Sequence, residues 1–406
     1  MERKKIVIIG GGFAGIYTLK QLQNCINNET AEITIISKEN YFLFTPMVHE
    51  VAGGGLDRNN IVVPIREISK SANFIHGSVT EIDLDKKVLK ICLEDIDKTA
   101  AQKNFDILIV ATGATNNYYN IPGAMENTTP LKTLNDATKI KNDIIQSLED
   151  LFVSNKASAD LHNYVVVGGG ATGVELVVEI LELIETIVKK DSLKKTKEKI
   201  TISLVCGPIM LGHLNKNLQR YTKNYLEKLG IKIYSANVTE VTPFEVKLSN
   251  GKTIESRNVY WAAGVKPNYP KFVPAIETDK QDRIAVDEFL RIKEQENVFA
   301  LGDITSGWPM LAYTATRQAE TAVTNIRALL NNQTLKAFEF TPNVSLLSLG
   351  QKNAVGNFYG VNLKGRPVWF LWRTVYLSKM ISLKRKVKIM LNWTFNLFVD
   401  RDISKI

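Results

Sequence analysis

The amino-acid sequence predicts an α/β fold: two parallel-sheet domains of the same Rossmann-like design, followed by an amphipathic helical segment at the C-terminus. Three observations carry this. A buried-strand pattern running into a glycine turn and then a helix occurs twice, about 160 residues apart. Two further buried strands end in small-residue turns. The basic charge is concentrated in the last 46 residues.

The first unit begins at once. Ile6-Val7-Ile8-Ile9 is an uninterrupted β-branched run, the pattern of a strand buried on both faces. It leads into Gly10-Gly11-Gly12-Phe13-Ala14-Gly15, and Ile16 to Leu22 continue as a helix. Glycine at 10 permits the tight turn, Gly12 lets a pyrophosphate touch backbone, and Gly15 lets the helix pack on the strand. The helix N-terminus, with Phe13 and Ala14 in its first turn, supplies N–H donors and partial positive charge to the phosphates. The next strand, Glu32 to Ile36, ends at Ser37 and Lys38. An acid commonly grips the adenosine ribose there, and the Ser37 hydroxyl can take that hydrogen bond.

The unit recurs. Tyr164-Val165-Val166-Val167 leads into Gly168-Gly169-Gly170-Ala171-Thr172-Gly173, followed by Glu175 and a helix from Leu176 to Val188. Its second strand, Ile200 to Val205, ends at Cys206. One such turn is a weak signal; two in matching settings point to two bound dinucleotides. Phe105 to Val110 is a further buried strand ending in Ala111-Thr112-Gly113. Val298 to Leu301 ends in Gly302-Asp303, an acid able to hold a sugar-alcohol hydroxyl.

Composition narrows the classes. The chain has 406 residues, 45% hydrophobic and 23% charged, which suits two or three globular domains. No run approaches the roughly 18 apolar residues of a membrane span, and the longest near the tail is Ile389 to Val399. The first strand starts almost at the N-terminus, so no leader is expected and the protein is expected to stay where it is made. Cys25, Cys92 and Cys206 show no CxxC spacing, and His49, His76, His162 and His213 are isolated, so no disulfide or metal site is expected. From Val361 to Ile406 ten Lys/Arg face two Asp, a net +8 that leaves +1 for the rest of the +9 chain. A basic tail on a neutral body points to a local anionic partner rather than to nucleic acid.

The order of these motifs resembles the two-dinucleotide-binding-domain flavoproteins. That resemblance implies FAD on the first glycine turn, NAD(P)H on the second, Gly302-Asp303 at the flavin side chain, and an FAD domain split by the inserted nicotinamide domain. Expected boundaries are 1–155 and 266–335 for the FAD domain, 156–265 for the NAD(P)H domain and 336–406 for the C-terminal segment. Within the superfamily the chain is similar to the type II NADH:quinone oxidoreductases. The shared segments are Asn40-Tyr41-Phe42-Leu43-Phe44-Thr45-Pro46, Trp261-Ala262-Ala263-Gly264-Val265-Lys266-Pro267, Leu371-Trp372-Arg373 with Tyr376 to Lys379, Asn392-Trp393, and Arg401 to Ser404. With the resemblance go cofactor contacts at Thr45, Pro46, Val79, Ala263, Gly264 and Ala312.

The tail agrees on its own residues. Lys388, Asn392 and Asn396 fall at i, i+4 and i+8, a narrow polar stripe, while Met390, Leu391, Trp393, Leu397 and Phe398 take much of the remaining helix surface. Trp369, Phe370, Leu371, Trp372 and Tyr376 lie upstream beside Arg373 and Lys379. Apolar residues with aromatics and flanking cations describe a helix lying in a bilayer interface, here through residues 369–399. A dimer interface, and hence a homodimer, is the competing use of that face.

The resemblance implies transfer of a hydride from NADH to FAD and of two electrons onward to a membrane quinone, without proton pumping, by a peripheral protein on the cytoplasmic face of a bacterial inner membrane. Glu175 resembles the family's glutamate near the nicotinamide; its other reading is a carboxylate complementing the helix dipole. Three positions depart from the family. Tyr313 and Arg317 stand where glutamines usually flank flavin and quinone, with Gln318 alongside, and Arg317 could stabilise an anionic reduced ring. Cys206 replaces the acid expected at the nicotinamide-side ribose, which favours NADH only weakly and leaves NADPH open. Ser37 replaces the acid on the FAD side. A sulfide:quinone oxidoreductase or a reductase with another acceptor is the alternative, and a non-enzymatic nucleotide sensor is the more distant one.

Overall fold

The structure, a computed structural model, describes residues 3–25, 30–94, 100–153, 162–190 and 200–405. The chain divides into two compact units. The first comprises Met1–Leu43, Val62–Thr115 and Val265–Pro342, and the second Phe44–Ile61, Asn116–Gly264 and Asn343–Ile406. Residues 44–61, 116–153 and the C-terminal segment all belong to the second unit. The boundary expected between 155 and 156 falls outside the described residues.

The first unit is built on one large sheet. Its strands run in the order Val298–Ala300, Ile107–Val110, Lys4–Ile9, Ala31–Ser37, Asn73–Asp83, Val88–Leu93 and Ala100–Asn104. The first five are mutually parallel and the last two antiparallel. Ile6, Val7 and Ile8 are wholly buried, as their β-branched side chains require when both faces of a parallel sheet are covered. One face packs a core of Val7, Ile9, Ile36, Leu108, Val110 and Ile304. The first cofactor helix spans Phe13–Cys25, longer than the Ile16 to Leu22 run expected because the turn residues themselves start it.

The second unit repeats the scheme on a smaller parallel sheet ordered Thr129–Pro130, Asn258–Trp261, Asn163–Val167, Thr201–Val205, Lys232–Tyr234. Its cofactor helix spans Ala171–Lys190. Val165, Val167, Val205 and Trp261 form a core with Val241, Val246 and Val259. Its C-terminal part is a three-stranded antiparallel sheet, Val344–Ser348, Ala354–Phe358 and Val361–Lys364, followed by the helices Arg366–Lys379 and Leu383–Phe395. The second helix starts at Ser382, whose hydroxyl accepts from the Arg385 N–H.

Candidate functional site

The two glycine turns are near-copies. Each opens at the carboxyl end of a central parallel strand, with Gly10 N–H bonded to the Ile36 carbonyl and Gly168 N–H to the Val205 carbonyl, both at 2.8 Å. Gly10 has φ +112° and Gly168 φ +139°, and a Cβ on either would overlap the carbonyl oxygen of Ala111 or Ala262 on the neighbouring chain segment. Gly15 and Gly173 press on the carbonyls of Gly10 and Gly168, so a Cβ there would also collide. Their own protein accounts for these four glycines.

Gly12 and Gly170 are different. Both are exposed, and a Cβ on either would meet no protein atom within 4 Å. Each heads a helix whose first bonds are already made, Ile16 N–H to the Gly12 carbonyl and Val174 N–H to the Gly170 carbonyl. The bare surface of both turns thus faces outward, where a pyrophosphate would lie against backbone and helix N-terminus. Around the first turn, Ser37 is buried with its hydroxyl against Gly11, and Lys38 is exposed beside it. Thr112 places a buried hydroxyl there with no hydrogen-bond partner among the described residues. Such an orphan fits a ligand atom, since buried polar groups are otherwise satisfied. Val79 sits half-buried at the bulge of the strand Asn73–Asp83, packed on the core. These residues fit FAD.

Gly302 adopts φ +82° and heads a short 3-10 turn carrying Asp303. Gln318, expected among the reacting groups, is instead wholly buried: its carbonyl accepts from the Gly302 N–H at 2.6 Å and its amide donates to the Thr305 hydroxyl at 3.1 Å. It positions the Gly-Asp turn, because buried amide groups at this distance are committed to each other. Ala312 opens the helix Ala312–Leu330. Tyr313 on its first turn is 36% exposed and packs at a tilt against Phe340, ring centroids 5.6 Å apart, and Arg317, one turn on, pairs with Glu320.

In the second unit, Ala171 and Thr172 start the cofactor helix and Cys206 abuts Gly169. Ala263 accepts from the Tyr119 hydroxyl at 3.2 Å, and Gly264 leaves no room for a Cβ against the same ring. Thr45 and Pro46 form a 3-10 turn that leads into the short helix Val48–Ala52.

Glu175 is buried rather than resting at a solvated helix end. Its carboxylate accepts from the Ser348 N–H at 3.1 Å and lies 3.6 Å from His49 Nδ1. Burial holds its carboxyl protonated well above the usual range. It belongs to a cluster that the sequence reading missed. Glu179 and Glu182 pair with Arg401 from the chain's end, whose guanidinium also donates to the Gly53 carbonyl at 2.8 Å. Glu50 accepts from the Trp393 indole, and burial followed by the Glu179 charge pushes its carboxyl up to about 7. His49 is pushed down to about 4 by burial and so is neutral, with Nε2 lacking a partner among the described residues. One signal was available: Glu175, Glu179 and Glu182 recur at i, i+4 and i+7 among the apolar residues Val174 to Ile184 of this helix.

The tail helices correct one expectation. Trp369, Trp372 and Trp393, expected at a membrane surface, are 1–4% exposed. Arg373 lies between two of them, its guanidinium 3.6 Å from the Trp369 ring and 4.6 Å from that of Trp393. Asn392 accepts from the Asp57 N–H and the Asn60 amide, and Asn396 donates to the Gly55 carbonyl. Asn392 and Asn396 of the stripe therefore face the protein, while Lys388 is exposed. Met390, Leu391, Phe395, Leu397, Phe398 and Val399 are left 42–85% exposed. No helix among the described residues is long and apolar enough to cross a membrane.

Two parallel sheets, each ending in a glycine turn shaped for a pyrophosphate, define a protein with two dinucleotide-binding domains. Residues 4–319 match the family model for pyridine nucleotide-disulphide oxidoreductases, and 344–402 match that for the NDH2 C-terminal domain. The chain belongs to the pyridine nucleotide-disulphide oxidoreductase family. It is similar to proteins named type II NADH:quinone oxidoreductase from Staphylococcus saprophyticus, 29% identical over 92% of this chain and 94% of that protein, and from Staphylococcus aureus, 28% identical over the same shares. The fold matches that of NDH2 from Plasmodium falciparum in complex with NADH, at a TM-score of 0.91 and 22% identity with both chains fully covered. It matches the sulfide:quinone oxidoreductase of Aquifex aeolicus less closely, at a TM-score of 0.73 and 19% identity over 98% and 96% of the two chains.

Proposed function

We propose that this chain is an FAD-dependent NADH dehydrogenase whose electrons leave to a membrane quinone. The observation that carries the reading is the duplicated glycine turn, with one outward, unfilled glycine in each copy. The relatives' names supply the class of donor and acceptor. Bound flavin supplies the two-electron chemistry that no side chain here can perform.

The protein's own residues bind, orient and hold protons. Gly10, Gly12 and Gly15 with Phe13, Ala14, Ser37 and Lys38 take the FAD diphosphate and adenosine end. Thr45, Pro46, Val79, Ala111, Thr112, Gly113, Gly302, Asp303 and Ala312 serve the rest of that cofactor. Gly168, Gly170 and Gly173 with Ala171, Thr172, Cys206, Ala263 and Gly264 take the nicotinamide nucleotide. Glu175 holds a proton in a buried cluster with His49, Glu50 and Glu179 and is the proposed proton-carrying group. Tyr313 and Arg317 present an aromatic ring and a cation on one exposed helical turn and are proposed to meet the acceptor.

The exposed apolar side chains and cations of the tail support the reading that this chemistry takes place at a bilayer. Exposed apolar side chains contribute up to roughly 1.5–3 kcal/mol each when fully buried, and each nearby Lys or Arg adds about 1 kcal/mol on an anionic surface. Lys379, Lys384 and Lys388 are exposed beside the apolar face. The cytoplasmic leaflet of a bacterial inner membrane is the proposed seat; a second copy of the chain is the competing occupant of the face.

The sulfide-oxidising alternative requires a cysteine pair. Cys206 is the second unit's one cysteine, Cys92 lies on the strand Val88–Leu93 and Cys25 closes the first cofactor helix. Purified protein should be yellow, bleach anaerobically on NADH and regain colour with a short-chain quinone, but not bleach with sulfide. Colourless protein that takes up no FAD on reconstitution would sink the proposal.

A further inference from the structure

The ribose end of the second nucleotide site is built without a carboxylate. Cys206 follows the strand Thr201–Val205 and stands directly against the glycine turn: a Cβ on Gly169 would lie 2.7 Å from the Cys206 Cβ. Ser37 occupies the matching place in the first unit, against Gly11. This is the position where an acid would accept the ribose hydroxyls and repel a 2′-phosphate. The Cys206 thiol instead turns inward, toward the carbonyls of Gly207 and Tyr234 at 3.7 and 3.6 Å. The Asn237 amide oxygen borders Gly207. Lys223 lies on the helix Lys216–Lys228, which packs on the strand Lys232–Tyr234 whose Tyr234 carbonyl faces the thiol, with the Glu227 carboxylate 4.0 Å from the lysine ammonium. The loop after Cys206 is fixed over the turn by the Leu211 N–H on the Gly169 carbonyl at 2.8 Å. The pocket wall is therefore set and carries no carboxylate at Cys206, with Lys223 on the adjoining helix.

We propose that Cys206 makes this site permissive for a 2′-phosphorylated nucleotide, so that NADPH is bound as well as NADH, with Lys223 supplying the favourable charge. This rests on the reading of Gly168–Gly173 as the nicotinamide-nucleotide turn.

The test is equilibrium binding of two adenosine fragments, 5′-AMP and adenosine 2′,5′-bisphosphate, to the purified full-length flavoprotein by titration calorimetry. The wild type should bind the bisphosphate no more than about threefold more weakly than 5′-AMP. Cys206→Asp should raise the ratio of bisphosphate to 5′-AMP dissociation constants about tenfold or more, since a carboxylate within a few ångströms of a phosphate is repulsive. Cys206→Ser should leave the ratio near that of the wild type, and Lys223→Ala, at a half-exposed helix position, should raise it several-fold. A wild type that prefers 5′-AMP by tenfold or more overturns the proposal, as does an unchanged ratio in both Cys206→Asp and Lys223→Ala. If Cys206→Asp does not fold, the Lys223→Ala ratio decides. Binding of neither fragment by the wild type would overturn the nucleotide reading of the second turn itself.

Discussion

Trp393 donates its indole N–H to the Glu50 carboxylate at 2.7 Å, and both residues are buried. This bond and those of Asn392 and Asn396 hold the helix by its inner side, while Met390, Leu391 and Phe395 are left exposed on the outer side. Removing the donor with Trp393→Phe should cost roughly 1–3 kcal/mol, the usual penalty for a buried acceptor left unpaired. Urea denaturation measures this, and a loss under 0.3 kcal/mol (about the noise of such fits) would show the bond to be idle.

Glu50 also sets a pH dependence. Its carboxyl is raised from the ordinary 4.5 to about 7 in the folded state, so the folded chain binds the extra proton between those values. By linkage, stability falls as pH rises from about 4.5 to 7, and the penalty is fully present above 7. Glu50→Gln, which cannot ionise, should gain on the wild type as pH rises from 5 to about 8. Parallel denaturation curves whose difference is independent of pH would contradict this.

Arg401 is the buried counter-charge of Glu179 and Glu182. Truncation by Arg401→Ala removes the guanidinium paired with both carboxylates and should destabilise by about 3–5 kcal/mol. The same variant should expose the tail to limited proteolysis. Both readings come from one purified sample, and a tail that resists protease as well as the wild type would count against the clamp.

The glycine turns separate folding from binding. Gly12→Ala places a methyl in open space and should fold with near wild-type thermal stability while losing bound flavin, read from visible absorbance per protein. Gly15→Ala drives its methyl into the Gly10 carbonyl and should unfold. Gly170→Ala should likewise spare the fold and weaken NADH binding. Full flavin content in Gly12→Ala would remove the argument from the open face.

The apolar outer face of the tail makes the membrane proposal testable apart from catalysis. Leu391→Glu with Phe398→Glu puts two carboxylates on side chains now 48% and 85% exposed. Co-sedimentation with phosphatidylglycerol vesicles should drop at least tenfold, more than raising salt alone achieves, since salt screens charge but not apolar burial. Unchanged sedimentation, with the wild type eluting as a dimer, would assign the face to a second copy.

The sequence by itself determined the repeated strand, turn and helix. The β-branched runs that lead into Gly10 and Gly168 leave few alternatives, and steric need at those glycines is local. It also determined that the tail helix carries a stripe of Lys388, Asn392 and Asn396 opposite apolar residues. Periodicity, however, says which residues share a face and not which way that face points. Only the tertiary structure decided that Asn392 and Asn396 turn inward, that three tryptophans are buried, and that Gln318 braces Gly302. It alone brought His49, Glu50, Glu175, Glu179, Glu182 and Arg401 together from three separate stretches of chain. Burial and long-range pairing depend on what the rest of the chain places alongside, and no local pattern encodes that.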